Sequence, residues 1–303
     1  MEERDGMTEF RGVYPAIVTP MTEEGSLNEE ALRQVLEFNI QRGVHGFWVA
    51  GGTGESVLLT EEENNKISEI CADQGQGRVN NIMHVGANTT VQAARQAEYA
   101  ARAGVQAICA VPPFFYGASD EAIVEYYRVV GAAADLPLFA YNLPGATGID
   151  ISPTLMQKIK DGVPQAAGLK HSSTLFANIG VFAEMGLSCF IGMSGLMLPG
   201  LTIGACGMID GPPCVAPEFW VKIFDAFNKG DVEGAREAQR RANAVIEVVV
   251  GIGSFPSSVK YAAGLRVGID CGSARPPLSP LTDDERLQIH NGLDRLGLLK
   301  QDD

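Results

Sequence analysis

Lys170 ends the apolar run Ala166-Ala167-Gly168-Leu169-Lys170, and Tyr141 ends Leu138-Phe139-Ala140-Tyr141, each run having the look of a short buried strand. None of the other seven lysines closes such a run; they fall in helical or terminal segments with polar surroundings. A lysine is almost wholly protonated in neutral water, whereas a dry setting favours the free amine, a nucleophile for a ketone. The same position also suits a structural lysine paired with a carboxylate across the interior. Neighbouring strands lie about 4.8 Å apart, so if these two runs are adjacent the Tyr141 phenol can reach the amine. It could then move protons to and from a carbinolamine or an alcohol. In the absence of such a lysine, the tyrosine reads as a rim aromatic with a satisfied hydroxyl.

A second group is the turn Gly51-Gly52-Thr53-Gly54-Glu55. Its backbone N–H groups and the Thr53 hydroxyl can cradle an anion such as a carboxylate, and a plain tight strand-to-helix turn explains the same glycines. No Lys-Ser or Lys-Thr follows at the spacing of a nucleotide P-loop. Gly192 and Asp210 end two further runs and join Gly52 and Thr53 as candidate substrate-binding positions. His45, His84, His171 and His290 lack ligand spacing, so no metal is expected; His171, next to Lys170, should face the other side of its strand in a structural role.

The elements that must hold these groups alternate short apolar runs with longer helical patterns, the rhythm of parallel βα units. Eight strands are expected: 13–19, 46–49, 82–85, 107–111, 138–141, 166–170, 189–192 and 207–209. Helix starts are marked by Ser26 with Glu29, by Thr60 with Glu63, and by Ser152 before Pro153. Leu32, Val35, Leu36 and Ile40 form one apolar face of the first helix. After the eighth strand the pattern is wholly helical, over 217–228, 231–250, 256–265 and 283–296. The fold expected is a (β/α)8 TIM barrel over residues 1–230, with a short N-terminal tail, and a C-terminal helical extension over 231–303. A doubly wound sheet is disfavoured because no GxGxxG follows the first strand.

The 303 residues, 46% of them hydrophobic, suffice for one large core. A net charge of -14 without a basic block speaks against nucleic acid or an anionic membrane as partner. Six scattered cysteines without a CxxC pair fit a reducing, cytoplasmic setting, and Glu2, Glu3 and Asp5 do not resemble a signal peptide. The uncharged stretch 186–209 is long enough for a membrane span, but its glycines and Pro199 divide it into strand, short helix and strand.

Taken together, Ala16-Ile17-Val18-Thr19-Pro20, the Gly51–Glu55 turn, His84-Val85-Gly86-Ala87, Pro113-Phe114-Phe115, Tyr141-Asn142-Leu143-Pro144 with Thr147-Gly148, and Gly168-Leu169-Lys170 resemble the dihydrodipicolinate synthase and N-acetylneuraminate lyase family of pyruvate-dependent class I aldolases. The resemblance covers nearly the whole chain. It implies a homotetrameric barrel in which Lys170 forms a Schiff base with a pyruvate-like 2-oxo acid, without added cofactor. Tyr141 would move protons, Gly52 and Thr53 would hold the carboxylate, and the Ile209 backbone would lie close by. The implied reaction is cleavage or formation of a C–C bond, as with a sialic acid or a 2-oxo-3-deoxy sugar acid. Dehydration, deamination and a non-catalytic ketoacid-binding role stay open, as does dihydrodipicolinate synthesis.

There are four departures from the family pattern. Gly52 replaces a Thr or Ser of the proton relay, and Phe115 replaces a tyrosine that many members supply to a neighbouring subunit. Ala146 replaces the arginine that dihydrodipicolinate synthases use for their second substrate, and Ser194-Gly195 replaces the acidic pair of sialic acid lyases. Asp210 would either supply the missing acid or hydroxyl-binding function or cap the turn that follows it.

Overall fold

The computed structural model describes residues 10–299; the acidic tail with Glu2, Glu3 and Asp5 lies outside them. The strands are β1 Gly12–Pro15, β2 Gly46–Val49, β3 Asn80–His84, β4 Ala107–Ala110, β5 Leu138–Asn142, β6 Ala166–His171, β7 Ser188–Ile191 and β8 Gly207–Asp210. The helices are α1 Glu29–Ile40, α2 Glu61–Gly75, α3 Thr90–Ala103, α4 Asp120–Ala134, α5 Pro144–Thr147, α6 Pro153–Gly162, α7 Asn178–Glu184, α8 Met197–Thr202, α9 Pro217–Asn228, α10 Val232–Val249, α11 Phe255–Val267 and α12 Asp283–Arg295.

All ladders are parallel, in the order β1-β8-β7-β6-β5-β4-β3-β2. The remaining seam is joined where the His45 N–H donates to Val13 O at 3.0 Å and the Ile17 N–H to Trp48 O at 3.1 Å. The fold is therefore a (β/α)8 barrel with C-terminal helices. Closure also explains why β1 is shorter than its apolar run: after Ala16 donates to Asp210 O, the chain leaves β8 and bridges to Trp48.

Period-two alternation sorts the strand residues into two shells. Tyr14, Trp48, Ile82, Cys109, Phe139, Phe190 and Ile209 fill the barrel, while Val13, Phe47, Met83, Ile108, Leu138 and Leu169 pack outward on the helices. Helix starts follow cap chemistry: Thr60 and Glu63 form a capping box, and Ser152 caps α6 with Pro153 at its first position. The start of α1 differs from expectation, because Asn28 accepts the Ala31 N–H while Ser26 closes the preceding turn with Thr22. The uncharged stretch resolves into β7, α8 and β8, and no helix among the described residues is long and apolar enough to cross a membrane.

One irregularity positions the chemistry. Leu138 pairs with Ala166, but Phe139 pairs with Gly168, so Ala167 is an extra residue in β6. Without it Tyr141 would face Leu169; with it Tyr141 is in register with Lys170. Glycine is required next to this bulge because a Cβ on Gly168 would lie 2.8 Å from the Phe139 ring and overlap Ser188 O.

Candidate active site

Lys170 lies inside the C-terminal mouth of the barrel, only 3% exposed. Its Nζ donates to Tyr141 Oη at 3.1 Å and stands 4.3 Å from the Tyr141 ring centroid and 5.3 Å from that of Trp48. No ion pair of Lys170 occurs among the described residues. The carboxylate-paired alternative thus falls to another residue. Lys260 on α11, read from sequence as a lysine in polar surroundings, is fully buried and pairs with fully buried Glu55. Its pKa is lowered by burial, an effect opposed by the Glu55 charge.

Glu55 belongs to the glycine turn and is locked on both sides, since its other oxygen accepts the Arg275 N–H at 2.6 Å. The turn is further pinned by the Thr19 hydroxyl, which donates to Gly54 O at 2.7 Å. Gly54 approaches Ile17 O so closely that a Cβ would stand 2.9 Å from it. Ala50 and Glu55 both adopt positive φ, 50° and 66°. Strain of this kind concentrates at functional sites.

Gly52 stands beside the phenol: a Cβ there would meet only Tyr141 Oη, at 3.8 Å. Thr53 is buried, with its hydroxyl 3.0 Å from where a Cβ on Gly211 would sit, which brings the turn against the end of β8. Ile209 is fully buried in the same inner cluster as Tyr141. Gly192 and Asp210 lie on the β7–β8 rim, and their polar groups are engaged there. The Gly192 N–H goes to His171 O at 2.8 Å, and the Asp210 oxygens accept the Ser194 N–H at 2.9 Å and the Gly211 N–H at 2.8 Å. His171 is turned away and structural, bonding Asn142 at 3.1 Å and Leu175 O at 3.1 Å.

Two groups at the mouth, Trp48 and His84, are not among the candidate site residues read from sequence. Trp48 packs edge-on to Tyr141 at 5.3 Å. His84 is buried, its Nδ1 lies 2.9 Å from Ser56 Oγ, and the Val111 N–H reaches its Nε2 at 3.4 Å. Burial, helped by the Lys170 charge, holds the His84 pKa down at about 4. Alternation along β3 carried the signal, because Ile82 and His84 share the inward face.

A parallel barrel whose C-terminal mouth holds a buried amine bonded to a phenol, with no carboxylate paired to it among the described residues, suits imine formation with a ketone. The Dihydrodipicolinate synthetase family model matches residues 9–296, and the chain belongs to that family. Its lyases are of the Schiff-base type, joining a lysine to pyruvate without an added cofactor. The chain is 36% identical over 294 residues to an uncharacterized DapA-like lyase of Halobacterium salinarum, covering 96% of this chain and 95% of the relative. It is 33% identical over 297 residues to a 4-hydroxy-tetrahydrodipicolinate synthase of Methanopyrus kandleri, covering 97% and 98%. A Ruminococcus gnavus sialic acid aldolase, solved as a catalytic-lysine mutant, superposes with a TM-score of 0.90 at 26% identity over 95% of both chains.

Proposed function

We propose that the protein is a Schiff-base lyase that cleaves a 4-hydroxy-2-oxo acid into pyruvate and an aldehyde, and runs the reverse condensation. The observation that carries this reading is the buried Lys170 Nζ, bonded to Tyr141 Oη at 3.1 Å. The Lys170 amine adds to C2, and Tyr141 gives its proton to the departing hydroxide, so water leaves and an iminium forms. The resulting phenolate takes the C4 hydroxyl proton while the C3–C4 electron pair moves into the iminium, releasing the aldehyde and leaving an enamine. Protonation at C3 and hydrolysis free pyruvate and the amine. The turn at Gly52 and Thr53 and the backbone at Ile209 are the places for the carboxylate.

Dihydrodipicolinate synthesis is disfavoured because Ala146 puts no cation at the mouth. Dehydration or deamination assisted by Asp210 is disfavoured because its two oxygens already accept backbone N–H groups. The homotetramer and the reducing cytoplasmic setting belong to the same proposal. The exposed Phe115 on the loop after β4 supports the first, and the burial of five cysteine thiols in the core supports the second. Borohydride reduction in the presence of pyruvate, followed by peptide mass mapping, is the test. A reduced adduct on Lys170 is expected, and an unmodified Lys170 at saturating pyruvate refutes the reading.

A further inference from the structure

The aldolase reading leaves open what C4 carries, and the cavity beyond Tyr141 bears on that. This cavity, of about 200 Å³, is walled by Val57, Val111, Phe114, Leu143 and Ala146 and has no charged side chain in its lining. Thr147 also lines it, but its hydroxyl is bonded to Leu143 O at 3.0 Å and Ile149 O at 3.1 Å. A polyhydroxy chain placed here would lose water without gaining partners, whereas an apolar chain fits the wall. The other candidate for holding hydroxyls, Asp210, is already bonded to two backbone amides. A neighbouring cavity lined by Asn64, Asn88, Gln92 and Gln96 shares the Ser56, Val57, His84 and Phe114 wall but includes neither Tyr141 nor Gly52, so it does not border the phenol.

The polar groups left in the apolar cavity are Ser56, His84 and Tyr141. Because His84 Nε2 accepts the Val111 N–H and the buried ring is neutral at pH 7, its single proton is on Nδ1. That N–H donates to Ser56 Oγ at 2.9 Å. The serine oxygen is thereby occupied as an acceptor, and its own proton is free to point into the cavity.

We propose that the substrate is a 4-hydroxy-2-oxo acid whose C4 bears an apolar aliphatic or aromatic group, and that the Ser56 hydroxyl donates a hydrogen bond to the C4 oxygen. In the condensation direction this donor stabilises the negative charge that develops on the aldehyde oxygen. This inference rests on the Schiff-base reading, and its test separates the two.

The full-length protein is first trapped with pyruvate and borohydride. Its condensation rates with pyruvate are then compared for benzaldehyde and isovaleraldehyde against glyceraldehyde and erythrose. The apolar aldehydes should show kcat/KM at least tenfold higher. Ser56→Ala should lower kcat with benzaldehyde about tenfold, leave pyruvate trapping unchanged, and be rescued in part by Ser56→Thr. The inference is overturned if the polyhydroxy aldehydes are used equally well or better, if pyruvate is trapped but no aldehyde is consumed, or if Ser56→Ala keeps full kcat. Absence of any pyruvate adduct removes the parent reading as well.

Discussion

Replacing Lys260 with methionine probes the charge pair that ties α11 to the glycine turn. Both side chains are completely buried. Lys260 Nζ also donates to Ser273 O at 3.1 Å, and Glu55 Oε2 accepts the Arg275 N–H at 2.6 Å. Glu55 Oε1 has no hydrogen-bond partner beyond the charge contact itself. Removing the ammonium leaves a buried carboxylate with one backbone donor, a loss that costs about 3–5 kcal/mol. Removing both charges is different, because the desolvation of a buried pair roughly cancels its attraction. The double variant Glu55→Gln, Lys260→Met keeps an acceptor for the Arg275 N–H and should lie within about 1–2 kcal/mol of the wild type. Urea unfolding of the wild type, both single variants and the double variant gives the coupling energy directly. Because Glu55 closes the turn that carries Gly52 and Thr53, Lys260→Met should also raise the pyruvate concentration needed for half-maximal trapping. A Lys260→Met variant that loses under about 1 kcal/mol, or a double variant as unstable as the sum of its singles, would show that the pair contributes nothing specific.

Gly52→Ser places a hydroxyl where the only neighbour of a new Cβ is Tyr141 Oη; single-turnover rates should rise about tenfold, a modest share of what positioned proton transfer contributes. For His84, the folded pKa of about 4 lies below the unfolded value, so stability is present above pH 6.5 and is lost as the unfolded imidazole takes up its proton. That loss reaches about 3 kcal/mol at pH 4, and it should be absent from the pH dependence of a His84→Asn variant measured by urea unfolding. Burial pushes the thiols of Cys71, Cys189, Cys214 and Cys271 up to about 12, so a thiol reagent at pH 8 should modify none of these four until the protein is unfolded.

The barrel was legible because each strand is a short apolar run bounded by glycine, proline or a polar tip, a pattern that local sequence carries whole. What local sequence does not carry is register between strands. The extra residue Ala167 is invisible as a bulge until β5 and β7 are in place, yet it puts Lys170 opposite Tyr141 rather than Asn142. Lys260 was misread for a similar reason. Its helix is buried on several sides, with Val259, Ala262 and Ala263 all fully covered, so no polar face distinguishes a solvated lysine from an enclosed one. At α1, Ser26 and Asn28 are both good caps two residues apart, and the Met21–Leu27 bridge across the preceding turn accompanies the choice of the second.

Why the amine at the mouth stays without a carboxylate is a question of where the acids go. A chain with 37 acidic residues has many chances to place one there. Two acids that end β8 or follow β2 are committed elsewhere: Glu55 to Lys260 and the Arg275 N–H, and Asp210 to the Ser194 and Gly211 N–H groups. Each commitment also fixes a piece of backbone, the glycine turn in one case and the junction of β7 with β8 in the other. The interactions that shape the two sides of the mouth therefore also occupy these two carboxylates, and the hydrogen-bond partner of the Lys170 amine is a phenol. A substitution that freed either acid would alter the shape and the electrostatics of the site together, so a change in trapping rate for such a variant has to be read alongside its unfolding free energy.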